Sequence, residues 1–173
     1  MELLIPEEYQ HLYVQDPNYP IRLFPDPILR QKCAPVTKIT KKHQELFDKM
    51  IKWCDQYNAG GLAAPQVGLA ERFFVMCLHD MKPMIFINPV IISMEGEVLD
   101  PNMCMSMPEF YGEVPRAEKI KMRALDRKGK SVTYDFKGRI AGVIQHEYDH
   151  LDGILFFEKA DPSTIQWGRP DTY

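Results

Sequence analysis

The sequence lacks a hydrophobic run that approaches the roughly 18 residues of a membrane-spanning helix. Its N-terminal segment, Met1–Glu8, also lacks the basic start of a signal peptide and the Arg- and Ser-rich composition of an organellar transit peptide. These absences predict a cytoplasmic protein. A mature organellar chain that had lost its transit peptide would look the same, so that location stays open as an alternative.

An excess of positive charge is missing as well. The chain has 21 Lys and Arg against 24 Asp and Glu, which gives a net charge of −3 at pH 7. Binding to nucleic acid or to an anionic membrane normally needs a basic surface, so neither partner is expected. No pattern in the sequence specifies an oligomeric state.

Cysteine is sparse, and phosphate-binding glycine patterns are absent. The four cysteines lie far apart and form no CxxC pair, which argues against a dithiol redox motif. The glycine-flanked segment Gly60–Gly68 has neither the GxGxxG spacing nor a Gly-Lys-Ser/Thr triplet, which argues against a phosphate loop. We expect three ordinary buried thiols and ask whether the fourth is a metal ligand.

The length of 173 residues and the 45% hydrophobic content predict a single domain, 1–173, with a substantial core. Fourteen prolines favour a mixed fold over a helical bundle. Residues 1–20 are expected to form an irregular arm, and residues 161–173 a tail without regular structure. Between them the patterns predict short strands at 21–24, 72–78, 84–87 and 154–157, an extended segment at 90–98, a helix at 41–57 capped by Thr40, a loop at 99–108, and a hairpin of 114–126 with 131–136.

The most informative stretch is Gln145–His150, which reads HExxH after its first residue. Two histidines four residues apart lie on one face of a helix and can hold one metal ion, with Glu147 between them facing a bound water. The apolar residues around the motif recur at helical spacing, which predicts a buried helix that begins after Gly138. Two solvated histidines on an amphipathic helix are the plain alternative, and the apolar surroundings disfavour it.

A metal site needs a third protein ligand, and Cys104 is the candidate. A thiolate with two imidazoles leaves a fourth position open for water, which is the arrangement of a catalytic metal. Cys54 and Cys77 fall inside predicted regular elements and are interpreted as core thiols. Cys33 remains an alternative on spacing alone.

Two classes of HExxH protease are disfavoured by the missing third ligand. A gluzincin takes a glutamate well downstream of the motif, and here only Glu158 follows, too close to the motif. The metzincin pattern HExxHxxGxxH continues as far as Gly153, but Phe156 stands at the last histidine position.

Three stretches together resemble the peptide deformylase family, in its order and approximate spacing. Residues 61–66 (Gly-Leu-Ala-Ala-Pro-Gln) resemble its first motif, GxGLAAPQ. Residues 104–106 (Cys-Met-Ser) resemble the second, EGCLS, and residues 145–151 (Gln-His-Glu-Tyr-Asp-His-Leu) resemble the third, QHExDHL. The linking stretch 114–120 is also typical, and the resemblance covers roughly residues 21–160.

The resemblance implies an α+β fold, in which short antiparallel β-sheets pack around a central HExxH-bearing helix, with a second long helix nearer the N-terminus. It implies a hydrolase that removes the formyl group from the N-terminal formyl-methionine of new polypeptides, at or near the ribosome, and releases formate. One divalent metal per chain would be held by Cys104, His146 and His150. The family's native metal is Fe²⁺, and Zn²⁺, Ni²⁺ or Co²⁺ can substitute.

The resemblance also implies roles for residues around the metal. Glu147 would take a proton from the attacking water and pass it to the leaving amine. The carboxamide of Gln66 and the backbone N–H of Met105 would stabilise the oxyanion. The substrate-binding residues would be Gly60, Gly61 and Leu62, which align the peptide, and Gly142 and Val143, which border an apolar methionine pocket.

Three departures from the family pattern bear on this interpretation. Ala59 replaces the first glycine of the first motif, a modest change. Asn102 and Met103 replace the Glu-Gly before the motif cysteine, which predicts a lost carboxylate and a different path for the Cys104 segment. Gly142 stands where a larger residue is usual, which predicts a wider pocket. A weakened homologue that binds formyl-peptides or metal without useful turnover is therefore the main alternative, and an HExxH metallopeptidase the next.

Overall fold

The structure, a computed structural model, describes residues 3–79 and 81–168 together with Pro170. Within these residues it contains two α-helices, α1 (Lys41–Gln56) and α2 (Arg139–Leu151). The strands are β1 (Gly61–Ala63), β2 (Phe73–Met76), β3 (Met84–Glu95), β4 (Val98–Cys104), β5 (Met107–Arg116), β6 (Lys119–Leu125), β7 (Ser131–Lys137) and β8 (Gln166–Trp167). No helix in this part of the chain is both long and apolar enough to span a membrane.

Helix α1 begins where the sequence predicts it. The hydroxyl of Thr40 accepts a hydrogen bond from the backbone N–H of His43, and the His43 ring accepts one from the backbone N–H of Thr40. These two bonds satisfy amide groups that the first helical turn leaves free. The helix buries Phe47, Met50 and Cys54.

A five-stranded antiparallel sheet in the order β1-β2-β3-β6-β7 separates the two helices. Alternate residues of a strand point to opposite faces of a sheet, and all four residues of β2 are buried. Phe73 and Val75 join the cluster that contains the buried face of α1. Phe74 and Met76 join the cluster that contains the buried face of α2. The HExxH helix is therefore held against one face of this sheet.

A three-stranded sheet in the order β4-β5-β8 forms the other wall of the molecule. Phe110 and Val114 of β5 pack with Leu155, Phe156 and other residues in a third apolar cluster. Helix α2 contacts β1, β2 and β7 of the first sheet and β5 of the second. The predicted α+β architecture with short antiparallel sheets is confirmed.

Several predicted elements differ from the observed ones. The segment predicted as a loop at 99–108 is mostly strand. Its Pro101 has no N–H to donate, but it lies on β4, an edge strand on which a missing donor is tolerated. Residues 21–24 form no strand, and 154–157 enter a 3₁₀ helix at Phe156–Glu158 instead of a strand. The predicted elements at 84–87 and 90–98 are largely one strand, β3, with a register shift between Ile87 and Val90.

The arm and the tail contain short elements that pack together. The arm forms a 3₁₀ helix at Glu7–Tyr13, and the tail supplies β8. The rings of Tyr9 and Trp167 stack with centroids 5.3 Å apart, and the Tyr13 hydroxyl donates a 2.9 Å hydrogen bond to the Pro108 carbonyl. The arm and tail predictions at residues 1–2, 169 and 171–173 lie outside the described residues.

Candidate active site

Helix α2 presents three of the predicted site residues on one side. Glu147 and His150 are buried, with 4% and 1% of their surface exposed, and His146 is half-buried. The two imidazole rings lie one turn apart with centroids separated by 5.0 Å. The spacing of the motif therefore places the two histidines together, as the sequence predicts.

Cys104 completes this group from the end of β4. Its sulfur lies 3.3 Å from Nε2 of His150, and ligand atoms of Cys104, His146 and His150 all lie within 4.8 Å of one another. Among the described residues no other cysteine joins such a group. Cys54 packs in the core beside α1, and Cys33 lies where its N–H donates to the carbonyl of Leu151. The structure thus favours Cys104 over Cys33.

The electrostatics of these side chains fit a bound cation. Burial raises the pKa of the Cys104 thiol to about 12, so a thiolate there needs positive charge beside it. Burial lowers the pKa of His150 to about 4. Burial, the neighbouring His150 and Arg116 hold the pKa of His146 well below its usual value. Both imidazoles are therefore neutral near pH 7 and keep a lone pair, which is what a divalent metal with a Cys-His₂ ligand set requires.

Asn102 orients one of these imidazoles. Its Oδ1 lies 2.9 Å from Nδ1 of His146 and accepts a 3.1 Å hydrogen bond from the Arg116 guanidinium. A guanidinium only donates, so the Asn102 oxygen must face Arg116, and Nδ1 of His146 must then carry the hydrogen. The remaining nitrogen, Nε2, keeps its lone pair for a metal. Asn102 therefore fixes the tautomer of His146 without the carboxylate that the family pattern has there.

A buried group of charged side chains lies next to Asn102 and holds its partner Arg116 in place. Arg116 is 3% exposed and donates to Asp149, which also accepts a hydrogen bond from Lys159. Asn102 uses its amide nitrogen to donate 2.9 Å hydrogen bonds to the backbone carbonyl and to Oδ2 of Asp100. All of the hydrogen-bonding capacity of Asn102 is thus used, and its orientation is fixed from both sides.

Glu147 and Gly61 approach each other so closely that a side chain at position 61 is excluded. A Cβ built on Gly61 would lie 2.8 Å from Cγ and from Oε1 of Glu147. The second carboxylate oxygen, Oε2, is buried without a hydrogen-bond partner among the described residues. Burial and the nearby Cys77 raise the pKa of Glu147 well above its usual value. Such a carboxyl group holds a proton more tightly than an exposed glutamate does.

Gln66 faces the same space with its amide nitrogen. Its Oε1 accepts a 2.8 Å hydrogen bond from the backbone N–H of Ala63, which fixes the orientation of the carboxamide. Its Nε2 then points to Cys104, 3.5 Å from the sulfur, and to the Ser106 hydroxyl at 3.3 Å. A hydrogen-bond donor is therefore placed beside the candidate metal ligands.

These groups open onto a cleft of about 560 Å³ between the two sheets. Its lining includes most of the predicted site residues, namely Gly60, Gly61, Gln66, Cys104, Met105, Gly142, Val143, His146 and Glu147. The prediction that Leu62 binds substrate needs correction for its side chain, which is fully buried in the cluster that contains the buried face of α1 and does not line the cleft. Only its backbone could face a substrate.

The structure shows the surroundings of the replaced residues Met103 and Gly142. Met103 lies in β4, paired with Tyr111, with its side chain half-exposed over the cleft and without the left-handed backbone that would favour glycine. Cys104 reaches the site at the end of β4, where the pairing with β5 shifts in register between Met103 and Cys104. The space beside Gly142 is filled by the Asp100 carboxylate, 2.7 Å from a Cβ built at Gly142. The pocket is consequently not widened there.

Sequence reasoning missed Asp100, Arg116 and Ser106 as parts of this site. Asp100 and Ser106 lie in the segment 99–108, whose prolines are typical of a loop, and Arg116 lies at the end of β5. The sequence does carry one signal for Arg116. It lies on the same face of β5 as alternate buried residues, and a charged side chain on a buried face needs a partner of opposite charge.

Comparisons with known proteins agree with this geometry. A family profile described as polypeptide deformylase matches residues 18–166. A peptide deformylase of Thermotoga petrophila is 40% identical over 146 residues, which cover 84% of this chain and 88% of that protein. A peptide deformylase of Desulfitobacterium hafniense is 44% identical over 133 residues, 77% of this chain and 88% of that protein.

Solved structures give the same result. The crystal structure of peptide deformylase from Thermotoga maritima superposes with a TM-score of 0.80 at 38% identity, over 83% of this chain and 98% of that one. The crystal structure of the enzyme from Thermus thermophilus superposes with a TM-score of 0.80 at 42% identity, over 84% of this chain and 87% of that one.

Proposed function

The chain belongs to the peptide deformylase family, hydrolases that remove the formyl group from an N-terminal methionine, and we propose that its reaction takes place between Cys104, His146, His150 and Glu147. The observation that carries this assignment is the convergence of three ligand atoms within 4.8 Å beside a buried carboxyl group. Substrates are the formylated N-termini of nascent chains. We place the reaction in the cytoplasm, at or near the ribosome where such chains are made.

The metal would be held by Sγ of Cys104 and by Nε2 of both histidines. Bound there, a divalent cation would polarise a water molecule and lower its pKa toward neutrality. We propose Fe²⁺ as the native ion, with Zn²⁺, Ni²⁺ or Co²⁺ able to replace it, because the family resemblance implies iron and a Cys-His₂ set alone suits several of these ions.

Glu147 carries the proton through the reaction. Its carboxylate takes a proton from the attacking water as the water oxygen bonds to the formyl carbon. The same group then gives that proton to the amine as the carbon–nitrogen bond breaks, which yields formate and a free N-terminus. The raised pKa of Glu147 suits both steps, because the carboxyl group must bind the proton and then release it within one turnover.

Gln66 and Met105 would stabilise the negative charge that develops on the formyl oxygen. The amide nitrogen of Gln66 is fixed toward the cleft, and Met105 follows Cys104 in the lining of the same cleft. Removal of one such donor typically lowers the rate about 10²- to 10³-fold.

The peptide would lie between Gly60 and Gly61 on one side and β4 on the other. Both β1 and β4 are edge strands of their sheets, so each has backbone groups free for an extended peptide. The first side chain would then point to the part of the cleft beside Gly142 and Val143.

The structure bears on both alternatives. The weakened homologue rested on Asn102 and Met103, and Asn102 is placed to orient His146, which supports an active site. The metallopeptidase interpretation lacked a third ligand at position 156, and Phe156 is indeed buried with its ring stacked near His146.

Formate release from a short formyl-Met peptide tests the proposal directly. Protein loaded with Fe²⁺ or Ni²⁺ in the absence of oxygen should release formate. Glu147→Ala, with equal bound metal, should be slower by about 10²- to 10⁴-fold, the usual contribution of a positioned acid–base group. No formate with any metal would overturn the proposal, and cleavage of the peptide bond instead would favour the peptidase.

A further inference from the structure

The pocket beside α2 has two charged residues in its wall. Asp100 of β4 and Arg139, the first residue of α2, line the cleft together with Gly142 and Val143. An apolar methionine pocket would be expected to have apolar walls. The charges therefore call for an explanation in terms of what the pocket binds.

Asp100 is held in the pocket by the helix and by its own strand. Its carboxylate lies against the backbone of α2 at Gly142, where any larger residue would collide with it. Its Oδ2 accepts a hydrogen bond from Asn102. The carboxylate thus takes the place that a side chain at position 142 would fill, and it is fixed in direction.

Two side chains at this pocket, Asp100 and Arg139, have hydrogen-bonding groups that the described residues do not use. Asp100 forms no side-chain hydrogen bond with another described residue apart from the one that Asn102 donates, and Arg139 forms neither a side-chain hydrogen bond nor a close ion pair within the described chain. Burial raises the pKa of Asp100, while Arg116, the hydrogen bond from Asn102 and, to a smaller extent, Arg139 each act to lower that pKa. A carboxylate acceptor and a guanidinium donor therefore border the same space.

A side chain that ends in a carboxamide matches this pair. Glutamine is about as long as methionine, and its terminal group donates through nitrogen and accepts through oxygen. The nitrogen can donate to Asp100 while the oxygen accepts from Arg139. An apolar side chain of equal length would remove water from the half-buried Asp100 carboxylate and offer no hydrogen bond to it or to the exposed Arg139. A buried acceptor that loses water without gaining a donor typically costs roughly 10- to 100-fold in selectivity.

We propose that Asp100 and Arg139 determine specificity at this pocket, so that the enzyme accepts formylated peptides whose first side chain ends in a carboxamide in addition to those that begin with methionine. The inference rests on the proposed function of the site and deepens it. It predicts that glutamine is preferred over norleucine, an apolar side chain of similar length.

The test compares three formyl-tripeptides that differ only in the first residue, which is glutamine, methionine or norleucine. Formate release gives kcat/KM for each with metal-loaded wild type, Asp100→Leu and Arg139→Leu. Wild type should prefer glutamine over norleucine by about tenfold or more, and each variant should lower that ratio about tenfold. Asp135→Leu, which removes an exposed carboxylate from β7, is the matched control and should leave the ratio unchanged.

The ratio of kcat/KM for glutamine to kcat/KM for norleucine can still be interpreted if a variant is slower with all peptides. Loss of Asp100 also removes a partner of Asn102, which would slow all three peptides alike. Asp100→Asn keeps an oxygen that can accept from Asn102 but turns its NH₂ group, a donor, toward the pocket. It should therefore lower the ratio as well, and it replaces Asp100→Leu in the test if that variant does not fold or hold metal. A glutamine-to-norleucine ratio near one in wild type, or one that stays within twofold in every pocket variant, overturns the inference. No formate from any peptide with wild type would instead overturn the proposed function.

Discussion

Asn102 is the residue on which the geometry of the metal ligands depends most closely. It accepts from Arg116 and His146 through one oxygen and donates to Asp100 through its nitrogen. A neutral amide is sufficient for this task because the negative charges needed to balance Arg116 come from Asp149 and Asp100 nearby. Asn102 thus contacts both Arg116 and His146 without adding a charge of its own.

Asn102→Ala should weaken metal binding. Without the Asn102 oxygen, Nδ1 of His146 and one guanidinium nitrogen lose their partner, and the imidazole can adopt the wrong tautomer. Loss of a group that orients a metal ligand typically costs about 10- to 100-fold in metal affinity. Competition with a chelator measures that affinity, and Met103→Ala, at the half-exposed neighbouring position, is the control. Equal affinity in both variants would contradict the role given to Asn102.

Glu147→Gln should change how stability depends on pH. Burial raises the pKa of Glu147 in the folded chain, so the folded state holds the proton more tightly than the unfolded state. The free energy of unfolding therefore falls as pH rises from the ordinary glutamate value of 4.5 through the raised pKa. Glutamine has no such proton, so the variant should gain stability relative to wild type over that range.

Urea unfolding of chelator-treated protein at a series of pH values measures this difference. Glu97→Gln, a change at an exposed position of the β3–β4 connection, is the matched control. A pH-independent difference for Glu147→Gln would show that the carboxyl group is not buried in the folded chain.

Helix α2 combines a catalytic motif with a close contact to β4. Its glycine at position 142 permits the Asp100 carboxylate to lie on the helix, and Asp100 in turn helps to hold Asn102. Helix α2 and strand β4 thus make a close contact at Gly142. Glycine has a lower helix propensity than alanine, so this contact lowers the intrinsic stability of the helix.

Gly142→Ala should have opposite effects in two backgrounds. In wild type the new Cβ would meet Asp100 at 2.7 Å, so the carboxylate must leave Asn102, and the protein should be destabilised. In an Asp100→Ala background the same change should stabilise it by about 0.5–1 kcal/mol, the usual gain of alanine over glycine inside a helix. Denaturant unfolding of the four proteins gives the coupling, and equal effects in both backgrounds would contradict the contact.

The elements differ in how well the sequence predicts them. Helices α1 and α2 are predictable because each is long, periodic and preceded by a recognisable start, Thr40 or Gly138. The sequence predicts a loop at strand β4 because its proline can be weighed correctly only when the strand is known to lie at a sheet edge. Edge position is a property of tertiary pairing, which local sequence does not contain.

For the whole molecule, the site lies where the two sheets approach α2, and the ends of the chain support one side of it. Trp167 of β8 packs on Phe110, with ring centroids 4.5 Å apart, and on Tyr9 of the arm. Tyr13 binds the carbonyl of Pro108, which lines the cleft. The arm and tail, which have little pattern of their own, thus brace the β5 side of the cleft.

Trp167→Ala should lower the free energy of unfolding by about 2 kcal/mol, less than for a fully buried tryptophan because this ring is half-buried. It should also raise KM for formyl-peptides and leave the bound metal unchanged, since no hydrogen bond or ring contact joins a ligand residue to the described part of the tail. Tyr13→Phe keeps the ring and removes one hydrogen bond, so about 1 kcal/mol is expected. Unfolding curves and formate kinetics test both, and loss of metal in Trp167→Ala would contradict this division of roles.

The candidate site is only partly predictable from the sequence. His146, Glu147 and His150 follow from local spacing, and Cys104 and Gln66 are identified with the help of motif resemblance. Asp100 and Arg116 escape prediction because their roles depend on contacts between distant elements, with Gly142 and Asp149 respectively. The contacts of Asn102 escape prediction for the same reason, because its partners Arg116 and His146 are distant in sequence.

Metal content per chain tests the central claim, that Cys104, His146 and His150 hold one ion beside Glu147. Wild type, Cys104→Ala and Cys33→Ala are stripped, reloaded in parallel with Ni²⁺, freed of excess metal and analysed by elemental mass spectrometry. Wild type and Cys33→Ala should each retain about one ion per chain, and Cys104→Ala should retain far less, because it lacks one of three protein ligands. A full complement of metal in Cys104→Ala would contradict the account.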